Sequence, residues 1–468
     1  MQFMRRIKFM AMFEDIPDQL RTSLPAVEKH TYPVNLLERW EQAGIWWQER
    51  VQHKIDPYQK YSTTRVGNYI EGAHRDGTPF QGHNFASQDY LSLASHPDLM
   101  KAAIKAIETY GLHSAGSAAL MGNTALSVQL EQRLQKFLGY EDVVVFPIGW
   151  AAGYGAVKTL VKPGDHVVID ILAHACLQEA ARDATDNVHV HSHMNVKAVE
   201  SRLARIRRED ETCGILVVTE TLFSMDSDVP DVAALQAICN QYNATLLVDC
   251  AHDLGSSGAT GRGLLEDFEL VGKVDVLVGA FSKSFASMGG FVATNNKGFR
   301  FGLRGQCGPS TFTNAMSPVQ AATILAALDI VEGEEGKRRR DKLMANSLRL
   351  RAGLEEAGFE VLGKPSAVVP MLIGDVLLAR LMTRYAVDFG GIVNLVEHPA
   401  VARNACRWRL QVMADHTEEQ IDAMVVIAEK AREMAEMHVE WLSANDNLGI
   451  DPNAVPDAAK AKLAAAAE

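Results

Sequence analysis

The chain has 468 residues, 47% of them hydrophobic, and a formal net charge of -12. It is long enough to bury the cores of two or three lobes, and its acidic balance argues against nucleic acid or anionic lipid as a main partner. Six cysteines, at 176, 213, 239, 250, 307 and 406, form no CxxC pair, which argues against a disulfide framework or zinc ribbon and fits a reducing, cytoplasmic setting.

Residues 1–83 are expected to form an N-terminal helical arm. Acidic residues follow its basic start too soon for a signal-peptide core, and no run in the chain is long enough to span a bilayer, so membrane association is not expected. In NLLERWEQAGIWWQERVQHK apolar residues recur at helical spacing, and Leu37, Trp40, Ile45 and Trp47 are expected to pack in the core or at a subunit interface. From 84 to 325 helical stretches alternate with the runs VVVFPI, HVVID, GILVVTE, TLLVDC and VDVLVGAF. These lack strict alternation, as parallel strands covered on both faces do, so a doubly wound α/β domain is predicted. Residues 326–440 read as a smaller α+β domain that opens with EGEEGKRRRDKL, a run expected on a solvated helix face. Residues 441–468 read as a tail.

Ligands of open α/β sheets bind beyond the carboxyl ends of the strands, so residues directly after the apolar runs are the first candidates for chemistry. TLLVDCAH delivers Asp249 and His252, and VDVLVGAFSK delivers Ser282 and Lys283. VVVFPIGWAAGYGA delivers a glycine-rich turn at Gly149 and Trp150 that should open a helix. A lysine after a buried strand is partly desolvated, which lowers its pKa and favours the neutral amine that forms a Schiff base. An aspartate at a neighbouring strand end keeps a pyridine nitrogen protonated, so that the ring draws off electrons. Free N–H groups at a helix start suit a phosphate. Together the three describe a site for pyridoxal 5'-phosphate (PLP).

The segments FASQDYLSLASHPDL, YGLHSAGSAALMGNT, LVDCAHDLG, VDVLVGAFSKSFASMGG and RWRLQVMADHTEEQID follow one another in the order found in the α-oxoamine synthase family of PLP enzymes. The chain resembles that family from residue 84 to roughly 435. The resemblance implies a fold-type I PLP-dependent transferase with a mostly parallel sheet in the large domain and a smaller α+β C-terminal domain. It implies that Lys283 carries the cofactor, that Asp249 partners the pyridine nitrogen and that His252 contacts the ring hydroxyl. His174, in DILAHACLQEA, would stack on the ring and help hold the substrate. Ser282 and the backbone after Gly149 would hold the phosphate, with Trp150 at a position the family gives to an aromatic residue. Thr313, in STFTNAMSP, resembles the position from which a second subunit contacts the phosphate, so a homodimer with shared sites is implied. Arg409, in CRWRLQ, matches the arginine that grips the amino acid carboxylate, with Arg407 the competing candidate on the same strand face.

The implied reaction is the decarboxylative condensation of an amino acid with an acyl thioester, carried by coenzyme A or an acyl carrier protein, to give an α-amino ketone. An aminotransferase of the same fold is the first alternative. A non-catalytic subunit of a synthase heterodimer is the second, and the joint presence of Lys283, Asp249 and His252 argues against it. Some positions depart from the family pattern. Ala118 stands where many members have arginine, Ala280 replaces a threonine, and Cys250 and Asp253 replace the glutamate and serine of DEAHS. The missing arginine leads to the expectation of a protein-bound or unusually apolar acyl donor. His189, His191 and His193 fall on one face if HVHSH is a strand, but no acidic or cysteine partner is near in sequence and no metal is expected. Ser224 and Asp226, in TETLFSMDSD, are assigned to a structural turn near the site.

Overall fold

The computed structural model describes residues 13–21 and 34–448, with side chains to residue 444. The expectations for the basic start and the alanine-rich end fall on residues 1–12 and 449–468, which lie outside the described residues.

Near the N-terminus β1 (Tyr61–Ser62), β2 (Tyr69–Ala73) and β3 (Pro79–Asn84) form an antiparallel ribbon. Seven strands of one sheet follow: β4 (Asp142–Phe146), β5 (His166–Asp170), β6 (Val188–His191), β7 (Ile215–Glu220), β8 (Thr245–Asp249), β9 (Val276–Ala280) and β10 (Gly290–Thr294). The last five are β11 (Glu360–Val361), β12 (Val368–Gly374), β13 (Gly391–Ile392), β14 (Leu395–Val396) and β15 (Cys406–Gln411). The large sheet runs β4-β10-β9-β8-β7-β5-β6. Neighbours from β9 to β6 are parallel, while β10 is antiparallel to both β4 and β9.

The apolar runs read as continuous because the two faces of each strand feed different cores. Val143, Val145, Val168, Val217 and Val248 join one buried cluster, whereas Val144, Phe146, Ile169, Val218 and Leu247 join another. The second cluster is closed by the helices Gly149–Leu160 and Ala175–Ala184. Each such fully buried side chain contributes roughly 1.5–3 kcal/mol, so the sheet is rigid and its carboxyl edge is a fixed platform. The antiparallel strand β10, GFVAT, was not among the expected runs. A Cβ on its Gly290 would fall 2.6 Å from the Cα of Gly149, so glycine there lets the helix after β4 start against the sheet.

The remaining strands form a sheet of order β11-β12-β15-β14, antiparallel throughout. β13 instead pairs in parallel with β3 and so ties the N-terminal ribbon to the C-terminal part of the chain. Among the described residues no helix is long and apolar enough to cross a membrane.

Core packing is corrected for Leu37, Trp40 and Ile45, though Trp47 does pack against the core, and full solvation is corrected for the charged run. In the helix Glu41–Gln52 the buried residues are Ala43, Trp46 and Arg50, while Leu37, Trp40 and Ile45 are exposed and Trp47 is half-buried. Trp46 wins because its indole N–H donates to the Gln19 carbonyl at 3.0 Å and the Arg50 guanidinium lies over its ring at 4.4 Å. The charged run is not wholly solvated. Arg340 is buried and donates to the carbonyls of Val331 at 2.8 Å and Ala259 at 2.9 Å.

Candidate active site

The site residues come from neighbouring strand ends. The sheet order sets Ala280 of β9, Asp249 of β8, Glu220 of β7 and Asp170 of β5 side by side at one carboxyl edge. Lys283 follows β9 by three residues and is half-buried. Burial pushes its amine down from the usual lysine range, against the pull of Asp249 and Glu220. Asp249 is buried, and its Oδ1 accepts the Ala251 N–H at 2.9 Å. Burial raises its carboxyl, while His174 and Lys283 lower it.

His174 caps the helix Ala175–Ala184. Its Nδ1 accepts the Cys176 N–H at 3.3 Å and lies 3.1 Å from the Cys176 sulfur, which leaves Nε2 to carry the proton. Its backbone N–H donates to Glu220 Oε1 at 2.7 Å, and its ring meets the Trp150 edge at 5.8 Å. Burial lowers its pKa, with Asp249 opposing and the cations of Lys283 and Arg409 adding. His252 is buried, its Nδ1 3.0 Å from the Tyr90 hydroxyl, and burial followed by the Lys283 and Arg409 charges holds it well below the usual histidine range. It is a neutral ring at pH 7.

The helix Gly149–Leu160 starts without a side-chain cap, so its first N–H groups are free. A Cβ on Gly149 would lie 2.6 Å from the Ala280 Cβ. Glycine at 149 is therefore a steric requirement of the strand end at 280, while nothing in this contact explains alanine rather than threonine there. Ser282 lies exposed, two residues after the Ala280 that the helix start abuts. The other two departures at the DCAHD segment face inward. The Cys250 thiol donates to the Val278 carbonyl at 3.3 Å, and Asp253 accepts from the Thr221 hydroxyl and from the Leu264 N–H at 2.6 Å.

Arg409 of β15 is half-buried and its Nη1 lies 3.9 Å from the Met225 sulfur. Among the described residues no carboxylate pairs with it, and its Nε is buried without a partner. Arg407 instead forms an ion pair with Asp226. That separates the two candidates, and it gives Asp226 a contact beyond the turn at Phe223–Asp228, which closes through the Phe223 N–H to the Asp228 carbonyl at 2.9 Å. Thr313 is not brought to this cluster. Its hydroxyl donates to the Pro309 carbonyl at 2.6 Å, and its segment is bonded to residues 114–117.

The three histidines do not form a row. His189 stacks on His166 with rings 5.1 Å apart, while His193 lies beyond the end of β6 and bridges Asp170 at 2.9 Å and Asp228 at 3.1 Å. The acidic partners missing from its sequence neighbourhood come from other elements. Tyr90, Cys176 and Glu220 were not singled out in the sequence. Glu220 closes the run ILVVTE, so the strand-end rule that gave Asp249 would have found it.

The arrangement fits PLP on its own chemistry: a desolvated lysine amine, a buried carboxylate without an ion pair one strand away, a histidine ring with a defined tautomer, and an uncapped helix start at a glycine. The model for aminotransferase class I and II matches residues 81–426. An 8-amino-7-oxononanoate synthase of Geobacter sulfurreducens is 35% identical over 72% of this chain and 86% of its own length. A serine palmitoyltransferase of Bacteriovorax stolpii is 31% identical over 74% of this chain and 82% of its own. The solved serine palmitoyltransferase of S. paucimobilis, holding PLP joined to myriocin, superposes with a TM-score of 0.80 at 27% identity, covering 86% of this chain and 99% of that one.

The chain belongs to the aminotransferase class I and II family, within it to the α-oxoamine synthases. It has the fold-type I architecture, uses pyridoxal 5'-phosphate, and is an acyl-transferring enzyme that joins an amino acid to an acyl thioester with loss of carbon dioxide.

Proposed function

We propose that the described strand-end cluster is the centre of this condensation, with Lys283, His174 and Asp249 catalytic and Arg409 the carboxylate receptor. The observation that carries the reading is the Arg409 guanidinium. It shares a field with Lys283, His174 and His252, yet has no carboxylate partner among the described residues. A bidentate carboxylate is the ligand such a fork accepts best.

The cofactor, when bound, supplies an electron-withdrawing ring that stabilises negative charge at the substrate's α-carbon. The rest is done by the chain. Asp249 holds the ring nitrogen's proton, and His252, neutral and steadied by Tyr90, meets the ring hydroxyl. His174 covers the ring face, and the free N–H groups at Gly149 and Trp150, with the Ser282 hydroxyl, take the phosphate. Arg409 orients the amino acid by its carboxylate, and the Lys283 amine, which burial shifts towards its neutral form, moves the α-proton.

Three further assignments belong to the same reading. The chain works as a homodimer in which Thr313 reaches the partner's phosphate site, supported by a Thr313 hydroxyl that bonds to Pro309 and, among the described residues, to no member of its own cluster, and by the 93% exposure of Phe312 beside it. The division into 84–325 and 326–440 is supported by the span of the large and C-terminal sheets. The flank 1–83 is not a purely helical arm, since it carries β1, β2 and most of β3, and the helix Glu418–Leu448 runs past the start of the 441–468 flank. A reducing cytoplasm is supported by six free cysteines. The acyl donor is an apolar thioester on coenzyme A or an acyl carrier protein, a class that the likeness to serine palmitoyltransferases supports.

The test incubates the loaded protein with a panel of amino acids and with acetyl, octanoyl and palmitoyl thioesters on either carrier. Release of free thiol together with carbon dioxide is expected, strongest with the long chains. Transfer of the amino group with neither product would establish the aminotransferase instead, and a preference for acetyl thioester would remove the apolar donor.

A further inference from the structure

Glu220 has no place in the reading above, yet it stands between two of its members. Parallel register pairs Glu220 with Asp249 across β7 and β8, so the two side chains leave the sheet on the same face, one strand spacing apart. Glu220 is buried and forms no ion pair among the described residues. Its carboxyl meets one hydrogen-bond donor, the backbone N–H of His174 at 2.7 Å.

We propose that Glu220 is a positioning residue that works as a neutral carboxylic acid, fixing the His174 main chain while leaving Asp249 the one anion next to Lys283, with Asp170 further along the edge paired to His193. Two ionised carboxylates side by side in a buried, unpaired setting repel each other, and one of them keeps its proton. Geometry decides which. Asp249 faces the basic groups of Lys283 and His174, and its Oδ1 accepts the Ala251 N–H. Glu220 lies one strand further from Lys283 and faces Asp249, the end of β5 at Asp170, and the His174 backbone. Burial and then the Asp249 charge hold the Glu220 carboxyl well above the usual carboxylate range, against the His174 N–H and Lys283.

The arrangement has a use. A carbonyl oxygen of a neutral acid still accepts the His174 N–H, so the cap of the helix Ala175–Ala184 is held without adding charge. A second anion would stabilise the protonated lysine as well as the ring nitrogen's proton, and so blunt the neutral amine on which Lys283 depends. One carboxylate tunes the nitrogen, and the other holds the histidine.

The inference rests on the proposed site, but its first test needs no cofactor. Infrared spectra of the unloaded protein at pH 7 should contain the carbonyl stretch of a protonated carboxylic acid that is missing in Glu220→Gln. The absence of that band from the native protein would overturn the neutral assignment whatever the site's function. The second test uses the loaded protein. Glu220→Gln keeps the acceptor oxygen and the neutral charge, so the pH midpoint of the bound cofactor's visible band should stay in place. A midpoint lowered by about one unit would mean that the native residue is ionised. Glu220→Leu, which removes the acceptor, should weaken PLP binding by roughly tenfold and change the cofactor's circular dichroism, with the glutamine variant rescuing both. Unchanged binding and dichroism in a folded Glu220→Leu protein would refute the positioning role.

Discussion

Two clusters of buried charge sit in this molecule and are built on opposite rules. At the carboxyl edge of the large sheet, Lys283, Asp249, Glu220 and His174 crowd together without one ion pair between them at bonding distance, and burial moves each away from its ordinary pKa. Beneath the N-terminal helix, Glu397 accepts from Arg50 at 2.9 Å and from Arg380 at 2.7 Å, and Arg380 also donates to the Leu20 carbonyl at 2.7 Å. These three are all buried, more deeply than the half-buried Lys283 and the solvent-facing His174, and their charges are paired. Unpaired charge in a buried site is held ready for a ligand or a proton, whereas a paired cluster fastens elements together. Here it fastens the residues around Leu20 and Arg50 to the stretch just before β15, the strand that carries Arg409.

The largest expected effect tests the unpaired cluster. Lys283→Ala should lower turnover by about 10⁴ or more and abolish cofactor attachment that survives borohydride, while the unfolding midpoint of the unloaded protein stays the same or rises, because a desolvated amine is gone. A Lys283→Ala protein that turned over at the native rate would end the assignment. The paired cluster should respond in the reverse way. Glu397→Ala takes the shared anion from two buried guanidiniums, leaving Arg50 with Asp56 at 3.5 Å, and should cost about 3–5 kcal/mol of stability in denaturant titration, with PLP affinity nearly unchanged below the transition. A loss under about 1 kcal/mol, the worth of a surface pair, would erase the contrast.

Arg409→Ala is the next step down. It should raise the amino acid's KM by an amount equivalent to about 1.5–3 kcal/mol, the value of a charged hydrogen-bonded contact, and leave the thioester's KM alone. Arg407→Ala, which breaks the pair with Asp226, should instead reduce stability without favouring one substrate. A selective loss for the amino acid in Arg407→Ala would exchange the two roles.

The two clusters were also unequally legible. Asp249 and Lys283 follow apolar runs, and the rule that ligands sit beyond strand ends needs no knowledge of the partner strand. Glu220 obeys the same rule and was passed over because a glutamate without a matching role in the cofactor drew no attention. The clamp offered no such rule. Arg50 and Glu397 lie 347 positions apart, and nothing local marks either as buried. On the arm helix one residue is a turn of 100°, so choosing Trp47 over Trp46 rotated the buried face, and only the tertiary partners at Gln19 and Arg380 fix that rotation. The choice between Arg409 and Arg407 likewise waited on Asp226, which pairs with one of them.

The smallest effect concerns acid, and it separates the arm from the sheet edge. His438 of the helix Glu418–Leu448 is fully buried; its Nδ1 accepts from the Tyr385 hydroxyl at 2.8 Å and its Nε2–H donates to the Glu14 carbonyl at 2.7 Å. Phe13 stacks on the ring at 4.6 Å, so this one neutral imidazole pins the segment at Phe13 and Glu14. Burial pushes its pKa down to about 4. Between pH 6.5 and 4 the unfolded chain therefore binds a proton that the native ring refuses, and stability falls with falling pH; below about 4 both states are protonated and the contribution levels off. The slope is about 1 kcal/mol per pH unit from this residue. His438→Asn, which cannot titrate, should be less stable at pH 7 but should flatten that part of the stability curve. Protease cleavage near the arm, accelerated by acid in the native protein, should lose its pH dependence in the variant. If the slope is the same in both proteins, the arm is not held through this ring, and the acid response must come from another buried histidine such as His416, which is pushed down to about 4 as well.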